Sequence, residues 1–429
     1  MRDLQQHSAR PHQTRLREVT MTTPTISTTR LASRASELKG SVIDASTALL
    51  ASQTHDIVRF AMGAPNDELI PTEDFGRILG TAAEGRFGYG ASEGEADLVD
   101  QIVRYQASRG IETSPERIVV TTGGMQGLDI AFKMLVDPGD GVIVECPTYT
   151  NGIGTALSYQ ASVIEAPMDE NGLVVEALPD LVENFGKTPK AIYTIPNFQN
   201  PSGTTMSRER RELLLELAEK WDAYIVDDDP YGALRFEGDE VPGFLELSPG
   251  NPRVIQVRTF SKTLAPGLRV GWMELDPSLR DIAVNAKPAM DTCTSVPMQK
   301  VVSDYLAEGK LDEHIDWLRS IYRERKEAMT QALAERFGDD ILSTDPDGGF
   351  FLWIDLQGKY SGIDTEELFP LALRHGVAYI PGPAFTDSGS QRHSLRLCFA
   401  TSSPERIREG VERLGTALDE FAEQRRGTL

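Results

Sequence analysis

The sequence predicts an α/β protein with a large domain built on a mostly parallel central sheet, followed by a smaller α+β domain. Three observations support this prediction. Short apolar runs alternate with helical patterns through the first two thirds of the chain, each run ends in small or polar residues, and the pattern changes from about Asp276. Buried strands that alternate with helices form parallel sheets, because each crossover helix covers a face of the sheet. A chain of 429 residues is also long enough for two or three domains.

The large domain is predicted from five apolar runs, which we expect to be strands of the sheet. The first run, RIVVTTGG, leads into a predicted helix over Met125–Leu135, and an amphipathic helix is predicted over Arg208–Lys220. The other runs are GVIVECPTY, KAIYTIPNFQNPSG, WDAYIVDDDPYG and RVIQVRTFSK. In an open parallel sheet, ligands collect beyond the carboxyl ends of the strands, so the polar residues that end these runs are expected to converge.

The smaller domain is predicted from the rest of the chain. Residues 300–335 are charged and helical in pattern, GGFFLWIDL and SLRLCFA are typical of strands, and Pro404–Glu423 predicts a closing helix. We expect residues 61–290 to form the large domain, and residues 31–60 and 291–429 to form the small one.

The first 30 residues are expected to be a disordered arm. They are polar, with scattered arginines and without the apolar segment of a secretory signal. Met21 lies within this arm and offers an alternative start of the chain.

Composition and charge narrow the classes of partner and the compartment. The chain has 40% hydrophobic and 25% charged residues, which is typical of a soluble globular protein. Its net charge of −22 argues against nucleic acid and anionic membranes, since both repel an acidic surface. No apolar run approaches the roughly 18–20 residues of a membrane span. The cysteines are few and lack metal-like spacing, which favours a reducing cytoplasm and predicts neither disulfide bonds nor a metal site: Cys146, Cys293 and Cys398.

The stretch TFSKTLAPGLRVGW places one lysine, Lys262, among small hydroxyl residues at the end of an apolar run. Thr259 and Ser261 precede the lysine, and Arg269 follows in a glycine-flanked turn. This grouping is either a solvated basic loop or an anion site whose lysine takes part in chemistry.

Two other strand ends carry groups that a ligand would explain. Gly123 and Gly124 follow a strand and open a helix, where backbone N–H groups and the helix dipole suit a phosphate, although a plain strand-to-helix turn is the alternative. Three adjacent carboxylates follow the predicted strand Ala223–Val226: Asp227, Asp228 and Asp229. They are either a solvated acidic turn or the partners of a buried positive charge. A metal site would need more carboxylates from other strand ends, and none arrive there.

The remaining candidates are weak singly. Asn200 lies in NPSG, where a turn is expected from composition alone, and Tyr149 and Tyr231 are residue types common in cores and rims. Arg396 lies within an apolar run and is costly to bury unless it meets an anion or forms a structural salt bridge. Together with Lys262, these groups describe a site for pyridoxal 5′-phosphate, in which the lysine forms a Schiff base and an aspartate keeps the ring nitrogen protonated.

Three motifs carry a resemblance to a known family: PNFQNPSG, DDDPYGALRF and TFSKTLAPGLRVGW, in that order. They resemble the fold-type I, class I/II aminotransferases, particularly the branch that contains aminoadipate/kynurenine aminotransferases and the aminotransferase-like domains of MocR-type regulators. The resemblance runs from about Leu31 to the C-terminus. It implies the type I fold of pyridoxal phosphate-dependent transferases.

The resemblance also implies roles for individual residues. Lys262 is the Schiff-base lysine, and Asp228, three residues before the tyrosine of DPY, is the carboxylate that holds the ring nitrogen. The cofactor phosphate is held by the following residues: Gly123, Gly124, Met125, Gln126, Thr259, Ser261 and Arg269. Relatives often carry a polar side chain where this chain has Gly124 and Met125, so backbone amides are expected to provide more of the phosphate contacts.

Further residues follow from the same resemblance. Asn200 and Tyr231 bond the phenolic oxygen of the ring, and Tyr149 stacks on its face. Tyr89 reaches the phosphate of the neighbouring subunit, which implies a homodimer. The substrate contacts are the α-carboxylate site at Arg396, with Asn200 beside it, and the covering loop at Gly63. That loop reads MGAPNDEL where relatives have a Gly-Gly-Leu-Pro-like sequence, which leaves the substrate unassigned.

The implied activity is transfer of an amino group from an L-amino acid to a 2-oxo acid by a ping-pong mechanism. Lys262 would act as general base and acid, with Asp228 and Tyr231 as the other catalytic residues, and 2-oxoglutarate is the acceptor by family habit. One alternative is another reaction in the same site, catalysed by a lyase, racemase, decarboxylase or cyclase. The other is a ligand-sensing regulatory module, which the short stretch before Leu31 and the acidic charge disfavour.

Overall fold

The structure of the protein is a computed structural model that describes residues 31–36, 55–82 and 87–428. The arm expected over residues 1–30 lies outside the described residues. Within the described part, the strands are β1 (Val58–Arg59), β2 (Ile118–Thr121), β3 (Gly141–Cys146), β4 (Ser162–Asp169), β5 (Gly172–Leu173), β6 (Ala191–Thr194), β7 (Tyr224–Asp228), β8 (Val254–Thr259), β9 (Gly271–Glu274), β10 (Ile341–Ser343), β11 (Phe351–Leu356), β12 (Val377–Ala378), β13 (Ile380–Pro381) and β14 (Ser394–Cys398).

The helices of the same part lie between and after these strands. They are α1 (Thr72–Ala82), α2 (Ala96–Ser108), α3 (Gly124–Leu135), α4 (Thr150–Ser158), α5 (Leu178–Phe185), α6 (Arg208–Trp221), α7 (Phe244–Leu247), α8 (Pro277–Ala286), α9 (Val296–Ala307), α10 (Lys310–Phe337), α11 (Thr365–Arg374) and α12 (Pro404–Thr428).

The large sheet has eight strands in the order β2-β9-β8-β7-β6-β3-β4-β5. The neighbours from β8 to β4 pair in parallel, whereas β9 runs antiparallel to both β8 and β2, and β5 runs antiparallel to β4. Strands such as β2 and β6 are buried along their whole length, because helices cover both faces of a parallel sheet. The predicted α/β fold with a mostly parallel sheet is confirmed.

Helix α6 shows how local sequence sets the ends of an element. Its N-cap is Ser207, whose hydroxyl accepts a hydrogen bond from the backbone N–H of Arg210 at 3.3 Å. Its apolar residues face the sheet, and Leu214 and Leu217 are buried there. The helix ends at Trp221, after which Asp222 adopts a left-handed conformation with φ 56°.

A second sheet is formed by the C-terminal part of the chain. Its four antiparallel strands lie in the order β10-β11-β14-β13, and the short strand β1 pairs in parallel with β12. The 28-residue helix α10 leads from the large sheet to this one and packs along α12. This arrangement brings β14, at the far end of the sequence, close to the carboxyl ends of the large sheet.

Several elements differ in detail from the sequence expectation. Strand β9 was not among the predicted strands. It begins at Gly271, at the end of the glycine-flanked turn expected around Arg269, and it follows β8 after only a short 3₁₀ turn, Pro266–Leu268. Strand β7 includes Asp227 and Asp228, whereas Val226 was its expected end. No described helix is long and apolar enough to cross a membrane.

Candidate active site

A cavity of about 270 Å³ lies at the carboxyl ends of the central strands of the large sheet, beside β14. It is where most of the sequence-predicted site residues come together. Those that line it are Gly63, Gly124, Met125, Tyr149, Asn200, Asp228, Tyr231, Thr259, Ser261, Lys262, Arg269 and Arg396. Gly123 borders them as the residue before α3, whereas Gln126 and Tyr89 do not line the cavity.

Lys262 follows β8 and extends its amine across the cavity. Its Nζ donates a hydrogen bond to the backbone carbonyl of Gly63 at 2.7 Å, which joins the lysine to the loop after β1. Burial lowers the pKa of Lys262 to about 8, with Arg396 and Arg269 contributing in the same direction. A lysine with this pKa is partly neutral near pH 8, and only the neutral amine acts as a nucleophile or base.

One end of the cavity is built for an anion. Gly123 has φ 77° and precedes α3, so the N-terminus of a 12-residue helix opens here. A Cβ at Gly123 would lie 2.6 Å from Nη2 of Arg269, so only glycine allows this guanidinium its place. The hydroxyls of Thr259 and Ser261 lie 2.8 Å apart on the same side. Helix N–H groups, hydroxyls and an arginine together suit a phosphate.

The side chain of Gln126 is engaged away from the cavity. Its Oε1 accepts hydrogen bonds from the backbone N–H of Thr122 at 2.8 Å and from Nζ of the buried Lys287 at 2.7 Å. Lys287 also lies 3.3 Å from Asp291, whose other oxygen accepts from the Thr122 hydroxyl. These hydrogen bonds stabilise the turn before Gly123 on the side that faces away from the cavity.

The three adjacent aspartates have three separate environments. Asp227 is fully buried and pairs with Arg258 at 2.9 Å. Asp229 caps the following turn, where it accepts from Gly232 N at 2.7 Å and from Asn197 Nδ2 at 2.8 Å. Successive side chains of a strand point to opposite faces of the sheet, so Asp228 lies on the face opposite to that of Asp227. There it lines the cavity.

Asp228 receives one hydrogen bond from the neighbouring strand. The hydroxyl of Tyr193, on β6, donates to Asp228 Oδ2 at 2.9 Å, and both side chains are buried. Burial raises the pKa of Asp228 to about 7, although the Tyr193 hydrogen bond and the charge of Arg258 act in the opposite direction. A cationic group placed against this buried carboxyl would stabilise its ionised form.

Arg396 lies at the opposite wall, on β14. It is 1% exposed, and its Nη1 and Nη2 donate to Asn200 Oδ1 at 2.8 Å and to Ala61 O at 2.7 Å. Its guanidinium carbon lies 4.2 Å from the ring centroid of Phe351. Its Nε is buried without a hydrogen-bond partner among the described residues. No carboxylate of the described part pairs with this arginine, so the alternative of a structural salt bridge is not found among these residues.

The two tyrosines predicted beside the cofactor occupy different settings. Tyr231 is buried, with its ring edge-on to Phe350 and Phe351 at 5.5 and 5.7 Å. Tyr149 is partly exposed to the cavity, and its hydroxyl accepts from Asn151 Nδ2 at 3.1 Å. Tyr89 is 90% exposed and lies outside the cavity of a single chain.

Several residues of the site were missed by the sequence reasoning. Tyr193 and Arg258 both lie in apolar strands, and a polar side chain inside such a run is a signal that could have identified them. Glu145 is also buried, and it accepts from Thr194 Oγ1 at 2.5 Å and from Gln199 Nε2 at 2.9 Å. Through these contacts it ties the ends of β3 and β6 to the turn that carries Asn200.

Comparison with known proteins gives a consistent result. The family model described as "Aminotransferase class I and II" matches residues 55–414. Aromatic-amino-acid aminotransferase 1 of Thermococcus litoralis is 37% identical over 377 residues, 86% of this chain and 89% of the relative. The 2-aminoadipate transaminase of Thermus thermophilus is 35% identical over 373 residues, 86% of this chain and 91% of the relative. A solved structure of Pyrococcus horikoshii kynurenine aminotransferase has a TM-score of 0.84 and 36% identity, with 91% of this chain and 97% of that chain covered.

Proposed function

The chain belongs to the class I and II aminotransferase family and is a pyridoxal phosphate-dependent aminotransferase, and we propose that it passes the amino group of an L-amino acid to 2-oxoglutarate. The observation that carries the proposal is the meeting of Lys262, Asp228 and Arg396 around one cavity. The amine suits the aldehyde of the cofactor, the carboxylate suits its protonated ring nitrogen, and the guanidinium suits the α-carboxylate of the substrate.

The described residues fit the cofactor. The N-terminus of α3 with Arg269 suits the phosphate, the buried carboxylate of Asp228 suits a protonated ring nitrogen, and Lys262 suits the aldehyde. When bound, pyridoxal phosphate supplies an aldehyde that condenses with amines and a protonated ring that withdraws the electron pair from the substrate Cα.

We assign the proton transfer to Lys262. Its amine has a lowered pKa and is enclosed by the loop at Gly63 and by Arg396. A base whose pKa lies near the ambient pH is well matched for taking a proton and returning it. In this assignment Nζ takes up the proton of the substrate Cα, and Gly63 O holds the amine in place between the two transfers.

Asp228, Asn200 and Tyr231 hold the ring in this proposal. Asp228 keeps a proton on the ring nitrogen, because its buried charge is compensated only when a cationic group faces it. Asn200 and Tyr231 line the same cavity and are assigned to the phenolic oxygen, and Tyr149 to the ring face.

Arg396 is assigned to the α-carboxylate of the substrate. It is buried and stacks on Phe351, and its Nε has no hydrogen-bond partner in the described residues. A planar guanidinium binds a carboxylate with two parallel hydrogen bonds. Amino-acid donor and 2-oxo-acid acceptor both carry an α-carboxylate, so one arginine serves both halves of the reaction.

The active enzyme is proposed to be a cytoplasmic homodimer. Tyr89 and Phe87 are exposed by 90% and 76%, which favours their burial against a second chain, and Tyr89 is assigned to the phosphate of that chain. A location in the reducing cytoplasm is favoured because the described cysteines form no disulfide bonds: Cys146, Cys293 and Cys398.

A half-reaction experiment tests the function. Purified holoenzyme is mixed with a panel of amino acids in the absence of an acceptor, and both the absorbance of the bound cofactor and the released 2-oxo acid are measured. We expect one equivalent of 2-oxo acid per active site, with the original absorbance restored by 2-oxoglutarate. Continuous turnover without acceptor, with release of ammonia or carbon dioxide or inversion of the amino acid, would favour a lyase, decarboxylase or racemase. Restoration by pyruvate or oxaloacetate alone would reject 2-oxoglutarate as the acceptor.

A further inference from the structure

Next to the carboxylate of Asp228 lies Tyr193, a buried tyrosine that does not line the cavity. We propose that Tyr193 is a positioning residue, which holds the Asp228 carboxylate toward the cofactor ring through one hydrogen bond to Oδ2. The proposal rests on the proposed role of Asp228. It adds a residue from a neighbouring strand to the machinery that controls the ring nitrogen.

The register of the sheet places Tyr193 where it can do this. Strands β6 and β7 are parallel neighbours, and Tyr193 pairs with Val226. Paired residues share a face of the sheet, and so do residues two apart on one strand, so Tyr193, Val226 and Asp228 lie on the same face. Asp228 lies two residues beyond the residue that pairs with Tyr193, and the tyrosine side chain is long enough to cover this distance. Its hydroxyl lies 2.9 Å from Asp228 Oδ2.

The tyrosine ring is held firmly by its neighbours. Tyr193 is fully buried, and its ring lies edge-on to that of Phe132, with centroids 6.2 Å apart. A Cβ on Gly152 would lie 2.5–2.6 Å from the ring and its hydroxyl oxygen, so helix α4 packs directly on this side chain. A hydroxyl fixed in this way positions its acceptor, because the hydrogen bond has little freedom to bend.

No other side chain of the described residues donates a hydrogen bond to Asp228. The nearby charges come from Arg258, Asp227, Asp229 and Lys262, and Arg258 is already paired with Asp227. Burial and the adjacent carboxylate raise the pKa of Tyr193 well above its ordinary value, so the hydroxyl remains a donor. Because Tyr193 occupies Oδ2, Oδ1 is the oxygen left for a ligand in the cavity.

The test is Tyr193→Phe, which removes the hydroxyl and keeps the ring. Tyr322→Phe is the matched control, because Tyr322 is equally buried and edge-on to a phenylalanine, yet its hydroxyl has no partner among the described residues. For Tyr193→Phe we expect the dissociation constant of the cofactor to rise and kcat to fall, each by about ten- to hundredfold, the scale of a hydrogen bond to a charged group. KM for the amino acid is expected to change little, since Arg396 is untouched. Tyr322→Phe is expected to match the wild type in all three quantities.

A second background separates this inference from the function on which it rests. In Asp228→Asn, adding Tyr193→Phe is expected to cause no further loss of cofactor affinity, because the negative charge that Tyr193 positions toward the ring nitrogen is gone. An equal loss in both backgrounds, or wild-type behaviour of Tyr193→Phe beside an impaired Asp228→Asn, would overturn the positioning role and leave the function standing. Full activity of Asp228→Asn would instead reject the proposed role of Asp228.

Discussion

Exchanging either Asp227 or Asp228 for asparagine is expected to separate stability from turnover, although the two residues are adjacent. Asp227 is fully buried and accepts from Arg258 at 2.9 Å and from Gln256 at 3.0 Å. Asparagine keeps the shape of the side chain, but it leaves the largely buried guanidinium without its counter-charge. Removing one partner of a buried ion pair costs about 3–5 kcal/mol of stability. We expect Asp227→Asn to lower the free energy of unfolding by that amount and to leave the turnover of the folded enzyme nearly unchanged.

Asp228→Asn is expected to have the opposite pattern. Burial raises the pKa of Asp228 from 3.8 to about 7. At pH 8 the ionised carboxylate therefore costs the cofactor-free fold about 4 kcal/mol. Asparagine removes this cost, while its unpaired amide restores about 1–3 kcal/mol of it. The net expectation is a gain in the free energy of unfolding of about 1–3 kcal/mol at pH 8, together with a loss of turnover by orders of magnitude.

The pH dependence of this gain has a definite sign. Between about pH 4 and pH 7 the folded chain binds a proton at Asp228 that the unfolded chain has lost, so wild-type stability from this group falls as the pH rises through this range. The advantage of Asp228→Asn should therefore shrink as the pH is lowered from 7. Below about pH 4, where folded and unfolded chains are both protonated, only the cost of the unpaired amide remains, and Asp228→Asn should be less stable than the wild type by about 1–3 kcal/mol.

Urea denaturation of the cofactor-free proteins, followed by circular dichroism, measures the stabilities, and 2-oxo acid formation by the holoenzymes measures turnover. Asp229→Asn serves as a further comparison, since Asp229 accepts from Gly232 N in the turn that it caps and from Asn197 Nδ2, and it does not line the cavity. An Asp227→Asn enzyme with normal stability and no turnover, beside an active and destabilised Asp228→Asn enzyme, would show that Asp227 faces the cofactor and that Asp228 forms the structural ion pair.

Three other predictions follow from the site. Arg396→Lys is expected to weaken the interaction with both the amino-acid donor and the 2-oxo-acid acceptor by about 1–3 kcal/mol, measured from kcat/KM for each. Lysine keeps the positive charge but loses the two parallel N–H groups of the guanidinium. A loss for one substrate alone would contradict the shared role. Gly123→Ala is expected to weaken cofactor binding in equilibrium dialysis, because the new Cβ would lie 2.6 Å from the Arg269 guanidinium. Gly154→Ala, in α4 with open space around it, is the control and should bind the cofactor normally. In cofactor-free protein, acylation of Lys262 is expected to rise with pH around a midpoint of about 8, as followed by peptide mass spectrometry; a midpoint near 10.5, the ordinary pKa of lysine, would contradict the effect of burial.

The sequence predicts the architecture well because its strands are buried on both faces. Runs such as those of β3 and β6 are almost wholly apolar, and a run of this kind separated by helical patterns has few alternatives to a parallel sheet. Strand β9 was missed because its residues, Gly271–Glu274, directly follow a turn rich in functional residues, and no helical pattern separates them from β8. Its antiparallel direction depends on pairing with β2 and β8, which no local pattern encodes.

The sequence predicts the site residues best where a chemically reactive side chain lies at the end of an apolar run. Lys262 and Asp228 each follow or end an apolar run, so their positions at one sheet edge follow from the parallel topology. Arg396 was singled out because a buried arginine in a strand needs a partner, but its contact with Asn200 joins residues 196 apart in sequence. The role of Tyr193 depends on strand register, and the engagement of Gln126 depends on a lysine far along the chain; both are set by tertiary packing.

The contact between Asn200 and Arg396 has a consequence for how relatives of this protein can diverge. Asn200 follows a strand of the eight-stranded sheet, whereas Arg396 belongs to the four-stranded one. The bond therefore couples two distant stretches of the gene, so that the effect of a substitution at either residue depends on the residue encoded at the other. The anion end at Gly123 and Arg269 lies wholly within the first stretch. Mutations elsewhere in the four-stranded sheet can thus change the shape of this side of the cavity without altering the residues of the anion end.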